Sequence, residues 1–253
     1  MGVVVLVRHG RTAANADGVL AGWTPGVRLD GRGEEQAERV GLRLAPTPLA
    51  AVVSSPLERC RQTAEAILAA QQGSAADHTE DDLGECRYGA WTGRPLKDLA
   101  REPLWREVQE RPSTVRFPDH AHFEAESITQ MAERAVRAVT RWDEQVVARH
   151  GPGAVWAAVS HGDVIKALLS WCLGSPLDAF QRIVVDPGSV SIVRLAPRQP
   201  FVLRVNDTGG DPVDLTALSA ALAAEAPGGG AADAAVGGGA GSDAAVGGGA
   251  GTD

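Results

Sequence analysis

The sequence predicts a three-layer α/β fold: a mostly parallel sheet with helices on both faces and one antiparallel edge strand. Short β-branched apolar runs alternate with helical patterns, and the helical patterns open on capping signals. Polar or cationic residues also stand directly after three of the apolar runs. Strand alternating with helix is what a parallel sheet requires, because each crossover has to cover a face. In such sheets ligands bind beyond the carboxyl ends of the strands, so the residues that end each run are the ones to follow.

The first run, Val3–Val7, is apolar on both faces and reads as a buried strand that leads straight into Arg8-His9-Gly10. Ala51–Ser54 is a second strand. After it, Ser55-Pro56-Leu57-Glu58 reads as a capping box with proline at the first helical position. Leu57, Cys60, Ala64, Ile67 and Leu68 then share a face, which puts Arg59 in the first turn. Ser127-Ile128-Thr129-Gln130 is a second capping box. It opens a long amphipathic helix whose stripe is Ile128, Met131, Ala132, Ala135, Val139, Trp142 and Val146. Ala154–Val159 is a third strand. It ends at Ser160-His161-Gly162, and a helix from Asp163 to Leu173 follows at once. Val190–Leu195 is a fourth buried strand, and Phe201–Val205 alternates as an antiparallel edge strand would.

The 253 residues suit one α/β domain with an appendage. From Pro227 the chain is nearly all Gly, Ala, Val, Asp, Ser and Thr, and DAAVGGGAGS at Asp233–Ser242 recurs with one change at Asp243–Thr252. A segment without large side chains cannot bury enough surface to offset the entropy of ordering it. The expected division is a domain over 1–222 and a disordered, non-catalytic tail over 223–253. A net charge of −8 provides no global basic field, which argues against nucleic acid or an anionic membrane as partner. Cys60, Cys86 and Cys172 are odd in number and contain no C-x-x-C pair, which fits a reducing cytoplasm better than a disulfide framework or zinc knuckle. Val3–Val7 has neither basic leader nor cleavage site, and no apolar stretch approaches the ~20 residues of a membrane helix. A homodimer is left open.

Three strand ends therefore carry Arg8-His9, Arg59 and His161. A phosphoryl group in transfer spreads negative charge over its equatorial oxygens, and the protein's task is to surround them with positive charge and N–H donors. Arginine suits this because its planar fork donates two parallel hydrogen bonds to phosphate, and helix N-termini add backbone N–H groups. One histidine at a strand end is most often structural, and Arg59 alone would be an ordinary solvated helix residue. The combination is what points to phosphate chemistry.

That combination resembles a known family. Arg8-His9-Gly10-Arg11-Thr12-Ala13-Ala14-Asn15 is similar to the R-H-G-E-[ST]-x-x-N signature of the histidine phosphatase superfamily, in its phosphoglycerate-mutase-like branch. Ser54-Ser55-Pro56-Leu57-Glu58-Arg59-Cys60-Arg61-Gln62-Thr63-Ala64 resembles its S-S-P-L-x-R-[AC]-x-Q-T-A segment. Glu85 to Gly93 resembles E-x-x-[YF]-G-x-W-x-G, and Ser160-His161-Gly162 the closing S-H-G. The four blocks stand in the family's order across Val3 to about Asp207.

The resemblance implies a metal-independent, cofactor-free phosphatase acting on small phosphomonoesters. His9 would be the nucleophile and Glu85 the general acid and then base, with Arg8, Arg59 and His161 completing the catalytic set. Thr12, Asn15, Gly22, Tyr88 and Gly162 would join Arg8 and Arg59 in holding the substrate. His9 must be neutral to attack, so its other ring nitrogen should donate to a backbone carbonyl. Apolar cover from Tyr88 and Trp91, or the charge of the incoming phosphate, would raise the pKa of Glu85, and Trp23 and Trp91 should line the site. Trp105, Trp142, Trp156 and Trp171 are assigned to core or half-buried positions.

Two departures stand out. Arg11 replaces the family's usual acid and should make the pocket rim more cationic. An actinobacterial-type subgroup of phosphomutases or phosphatases is similar in this Arg and in the Ala-Gly-x-Thr-Pro-Gly pattern of Ala21 to Gly26. The usual G-G-E-S is replaced by His122-Phe123-Glu124-Ala125-Glu126-Ser127, a segment expected to form part of the substrate wall.

Other signals count for less. His120-Ala121-His122 lacks a metal-ligand spacing, and Cys86 reads as packing. No G-x-x-x-x-G-K-[ST] or G-x-S-x-G motif is present. A phosphomutase is the nearest rival, since Gly93-Arg94-Pro95-Leu96-Lys97 partly echoes the Lys-bearing loop of the mutases. A phosphate-binding regulatory module without catalysis is the third reading. Sugar phosphates, glycerates, nucleotides and phosphoproteins all satisfy these motifs. For the tail, the expected outcome is direct: truncation after Leu222 leaves both kcat/KM and Tm unchanged, and a large fall in either shows that the repeat packs on the domain.

Overall fold

In chain order the elements are β1 (Val3–Arg8), α1 (Ala13–Ala16), β2 (Val19–Leu20), α2 (Gly31–Leu44), β3 (Ala51–Ser54), α3 (Glu58–Ala70), β4 (Ala76–Thr79), β5 (Arg94–Pro95), α4 (Leu96–Leu99), α5 (Pro103–Glu110), α6 (Ile128–His150), β6 (Val155–Ser160), α7 (Gly162–Cys172), β7 (Val190–Arg194) and β8 (Phe201–Asp207). These come from a computed structural model that describes residues 1–209, together with Thr216 and Ala220. The boundary expected near Leu222 and the tail expected over 223–253 lie outside the described residues.

One six-stranded sheet has the order β4-β3-β6-β1-β7-β8. β1, β6, β3 and β4 pair in parallel, β7 runs antiparallel to β1, and β8 closes the edge antiparallel to β7. The central strands β1 and β6 are buried along almost their whole length, as runs apolar on both faces should be. On one face Val3, Val5, Val7, Val52, Val155 and Val159 pack under α2 and α3. On the other, Val4, Leu6, Val53, Trp156 and Ala158 pack under α6 and α7. A small ribbon of β2 and β5 stands apart from the main sheet.

The parallel register decides where function can be. Arg8 pairs with Ser160, so the residues that follow, His9 and His161, leave the sheet side by side. Ser54 pairs with Val159, which brings Ser55 and the start of α3 to the same rim.

The predicted strands are all present, with three amendments. Val190–Arg194 is buried as expected but is itself the reversed strand, so the edge strand β8 points the same way as β1. β4 has a half-exposed, polar ADHT sequence that carries little strand signal. The helix α2 contains glycines at 31, 33 and 41, which hide it from propensity.

At the helix starts, the Ser127 capping box forms in full: Ser127 Oγ accepts from Gln130 N at 3.0 Å and Gln130 Oε1 from Ser127 N at 2.8 Å. The expected box at Ser55 does not. α3 begins at Glu58 after Leu57, with no side-chain cap on its first residues; the Ser55 hydroxyl accepts from Leu57 N at 3.3 Å and is engaged with His161 at 2.8 Å. Of the tryptophans, Trp156 is fully buried while Trp171 stands 39% exposed.

α2 is pressed against the loop that follows β1. A Cβ at Gly33 would fall 1.9 Å from the Arg11 carbonyl oxygen, and one at Gly10 would fall 2.3 Å from the Gly33 oxygen. Both neighbours are backbone and cannot swing away. Gly33→Ala should therefore cost about 1–3 kcal/mol, the scale of overpacking, seen as a Tm lowered by several degrees in a thermal melt. An unchanged Tm would show that this contact is slack.

Candidate active site

At the carboxyl end of the parallel strands lies a cavity of about 160 Å³, lined by Arg8, His9, Thr12, Asn15, Gly22, Arg59, Glu85, Tyr88 and Gly162 among others. The residues assigned to catalysis and to substrate holding are therefore drawn to one place, with His161 just behind the lining and fully buried. The His9 and His161 rings meet edge to face, with centroids 5.2 Å apart.

His9 Nδ1 lies 2.7 Å from the Gly10 carbonyl oxygen, which can only accept, so Nδ1 carries the proton and Nε2 keeps its lone pair. Arg59 Nε donates to that Nε2 at 3.3 Å. Burial, followed by the charges of Arg59 and Arg8, holds the imidazole well below its ordinary pKa, against the weaker pull of the Gly10 carbonyl. His9 is thus a neutral base with its free nitrogen turned toward a guanidinium.

Arg59 is held at 2% exposure by the first turn of α3. Its Nη2 donates to the Gly22 carbonyl at 2.9 Å and to His161 Nδ1 at 3.3 Å. That bond fixes the other tautomer on His161, whose Nε2–H donates to Ser55 Oγ. Burial and then Arg59 hold His161, too, well below its ordinary pKa. Arg8 Nη1 donates to the Val185 carbonyl. Arg8 Nε and Arg59 Nη1 are buried with no hydrogen-bond partner among the described residues. Buried donors left unmatched are costly, and an anion is the partner their charge selects.

Gly162 opens α7, and its backbone N–H belongs to the helix N-terminus that faces this rim. A Cβ there would fall 3.3 Å from Arg8 Cζ, so glycine lets the guanidinium lie against the backbone. Thr12 and Asn15 form the capping box of the single-turn α1: Asn15 Oδ1 accepts from Thr12 N and Oγ1, both at 3.0 Å. With that oxygen committed, the NH2 end of the amide is left for a ligand.

Glu85 follows a 3₁₀ turn at Asp81–Leu83 and is placed through its backbone. Arg134 on α6 donates to the carbonyls of Asp82 at 2.7 Å, Gly84 at 2.9 Å and Glu85 at 2.9 Å, while Glu126 balances its charge at 2.6 Å. Trp23 Nε1 donates to the same Glu85 carbonyl at 2.6 Å. The Glu85 carboxylate reaches 3.7 Å from His161 Nδ1 and accepts from Cys86 N at 2.9 Å. Burial, then the charge of Asp163, raises its pKa, while Arg59, the Cys86 N–H and Arg8 oppose the rise.

Several expectations need correction. Arg11 does not make the rim cationic, because it pairs with Asp30 at 2.8 Å and is absent from the cavity wall. Trp91 is core, stacked on Trp105, bonded to Glu102 and absent from the cavity wall, and Trp23 supports the acid from behind without lining the cavity. The segment from His122 to Ser127 is not substrate wall either. Its Glu126 holds Arg134 and accepts from Arg87 N at 2.9 Å, which braces the loop of the acid.

His120 and His122 are exposed, with rings 5.7 Å apart, and Cys86 is buried in the core with its thiol pushed well up by burial. Sequence reading missed Ser55, Arg134, Asp163 and Lys166. Asp163 and Lys166 sit three apart directly after S-H-G, and that spacing at a helix start was the available signal.

The chain is similar to known proteins over most of its described length. The model of the histidine phosphatase superfamily (branch 1) matches residues 4–208. The chain is 30% identical to the adenosylcobalamin/alpha-ribazole phosphatase of Escherichia coli K12 over 189 residues, 74% of this chain and 87% of that one. It is 32% identical to a probable phosphoglycerate mutase of Salmonella arizonae over 193 residues, 75% and 83% of the two chains. Among solved structures, YhfR of Bacillus stearothermophilus superposes with a TM-score of 0.71 at 25% identity, covering 83% of this chain and 98% of that one.

Proposed function

This chain belongs to the histidine phosphatase superfamily, and on that premise we propose that it hydrolyses small phosphomonoesters through a phosphohistidine on His9. The carrying observation is a neutral His9 whose Nδ1 is pinned to Gly10 and whose Nε2 faces buried guanidinium groups with unmatched donors.

The ester's phosphate takes up the unmatched N–H groups of Arg8 and Arg59, with the Gly162 N–H and the Asn15 amide completing the cradle. Arg59 Nε then passes from His9 Nε2 to a phosphate oxygen, which frees the lone pair. Nε2 attacks phosphorus in line, the P–O bond to the alcohol breaks, and Glu85 gives its proton to the departing oxygen. The Glu85 carboxylate next takes a proton from water, whose oxygen attacks the phosphohistidine and returns His9 with inorganic phosphate. Two guanidinium groups supply the charge that a divalent cation supplies elsewhere, so turnover should persist in chelator.

Two relatives named as probable phosphoglycerate mutases favour transfer back to substrate. Against it, Lys97, the residue that would echo a mutase loop, is exposed and off the cavity wall. The reading also places the enzyme in the cytoplasm, on the strength of three free, buried cysteines among the described residues. Among those residues no helix is long and apolar enough to cross a membrane.

Incubation with an aryl phosphate, without any bisphosphate primer, should give sustained release of phosphate. Rapid quenching should trap acid-labile label on His9, and His9→Ala should abolish both while leaving the melt unchanged. Strict dependence on primer would move the assignment to mutase, and label elsewhere would remove His9. Arg59→Ala should cost on the order of 10²–10³ in kcat, the scale of one transition-state donor.

The pKa directions set the pH profile. Glu85 acts as an acid only while protonated, so kcat/KM should fall as pH rises through its raised pKa. His9 must be neutral, and since its pKa is depressed the acid-side loss should begin below the ordinary imidazole range. Glu85→Gln should remove the alkaline limb and slow alkyl phosphates more than aryl phosphates, whose leaving groups need less protonation. An alkaline limb that survives in Glu85→Gln would assign it to another group.

A further inference from the structure

The alcohol half of a bound ester meets different side chains from its phosphate. Val19 and Leu20 of β2 and Leu96 at the start of α4 provide the apolar part of the wall, and Tyr88, Asp163 and Lys166 the polar part. Asp163 and Lys166 lie one turn apart on α7 and pair at 3.3 Å. The other Asp163 oxygen accepts from Tyr88 OH at 2.8 Å. Lys166 Nζ also donates to Gln181 Oε1 at 3.1 Å and lies 5.9 Å from the Phe180 ring.

Among the described residues the cavity wall carries three Lys or Arg side chains, Arg8, Arg59 and Lys166, and two acids, Glu85 and Asp163. A phosphomonoester brings nearly two negative charges, and the two arginines at the phosphate end answer them. That leaves Lys166 for the alcohol, and Asp163 already cancels it. Three cations near the rim are paired in the same way, Arg11 with Asp30, Arg87 with Glu124, and Arg94 with Glu102, and Lys97 is exposed and off the cavity wall. A carboxylate or second phosphate on the alcohol would thus find no free cation at the wall and would face the Asp163 carboxylate.

We infer that Asp163 determines specificity by neutralising Lys166, so that the site takes phosphomonoesters of uncharged, hydroxyl-bearing alcohols, such as polyols and sugars, and rejects those of acidic alcohols. Hydroxyl groups suit this wall: Lys166 can donate to them, and Asp163 and the Tyr88 oxygen can accept, while the β2 and α4 side packs against carbon. Exclusion by like charge gives selectivity without any gain in affinity for the preferred ester.

This inference rests on the phosphatase reading above, and the two fail separately. The test compares kcat/KM for glycerol phosphate and for the phosphoglycerate of matching regiochemistry, which differ by a CH2OH against a carboxylate, with an aryl phosphate as common reference. The wild-type enzyme should prefer glycerol phosphate. Asp163→Asn keeps an acceptor for Tyr88 and releases Lys166. It should shift the ratio toward phosphoglycerate by about fivefold, the upper scale of a partly exposed charge pair. Lys166→Gln should shift it the other way by a similar factor.

Any change Asp163→Asn makes to Glu85 acts on both esters and cancels in the ratio, and melts of both variants establish that they are folded. Preference of the wild type for phosphoglycerate, equal ratios in all three proteins, or aryl phosphate turnover with neither glycerol ester cleaved would each overturn the inference. Failure to cleave even the aryl phosphate would overturn the phosphatase reading, and this inference with it.

Discussion

The parallel pairing of β1 with β6, in the register that sets Arg8 opposite Ser160, is the constraint on which everything else at this rim depends. It delivers His9 and His161 to the same edge with ring centroids 5.2 Å apart. Because side chains alternate across a strand, a slip of one residue would send Arg8 to the opposite face and separate the pair. The slip is prevented far from the chemistry. Val3, Val5 and Val7 are buried under α2 and α3, Val4 and Leu6 under α6 and α7, and a shift would put Leu6 where a valine packs on one face and valine in place of Leu6 on the other. The catalytic register is therefore held by hydrophobic packing on two faces.

Given that register, Arg59 is the part that ties the rim together. One guanidinium touches His9, His161 and the Gly22 carbonyl while leaving a further N–H unmatched. A cation buried this deeply among neutral rings would be costly in isolation. The cost is shared in a useful way: the same positive charge that is poorly solvated also depresses both histidines, so they remain neutral acceptors for its donors. In the mechanism proposed above, a dianionic phosphate would reverse this balance. It would match the donors of Arg8 and Arg59 and draw the guanidinium from His9 Nε2, so that the nucleophile is released only when there is phosphorus to attack.

The convergence of Arg8, His9, Arg59 and His161 was legible in the sequence because topology forces it. Arg8, His9, Arg59 and His161 each follow an apolar run within a few residues, and a parallel sheet gathers such positions by construction. The Ser55 capping box misread the same logic locally: the sequence pattern was present, but the hydroxyl is engaged by a histidine more than a hundred residues away. Arg11 and Trp91 failed for a similar reason. Proximity in sequence to a motif says nothing of which way a side chain points, and Asp30 and Glu102 claimed them. Arg134 is the converse case. Read along α6 it is one polar residue near an apolar stripe, and only the fold shows that it holds three carbonyls of the loop that presents Glu85.

The alcohol end obeys no such rule. Its wall comes from a two-residue ribbon, a single-turn helix and the first turn of α7, elements too short for periodicity to register. The two halves of the cavity also answer to different physics. Phosphate is the same in every substrate, so its cradle is built of fixed backbone and guanidinium groups with little freedom to vary. The alcohol differs from one substrate to the next, and its wall consists of side chains whose charges cancel among themselves. The Asp163–Lys166 pair stands at the partly exposed mouth of that cavity, so water tempers an uncompensated charge there without cancelling it. At such a wall, whether Lys166 is free or paired matters more than how many polar groups surround it.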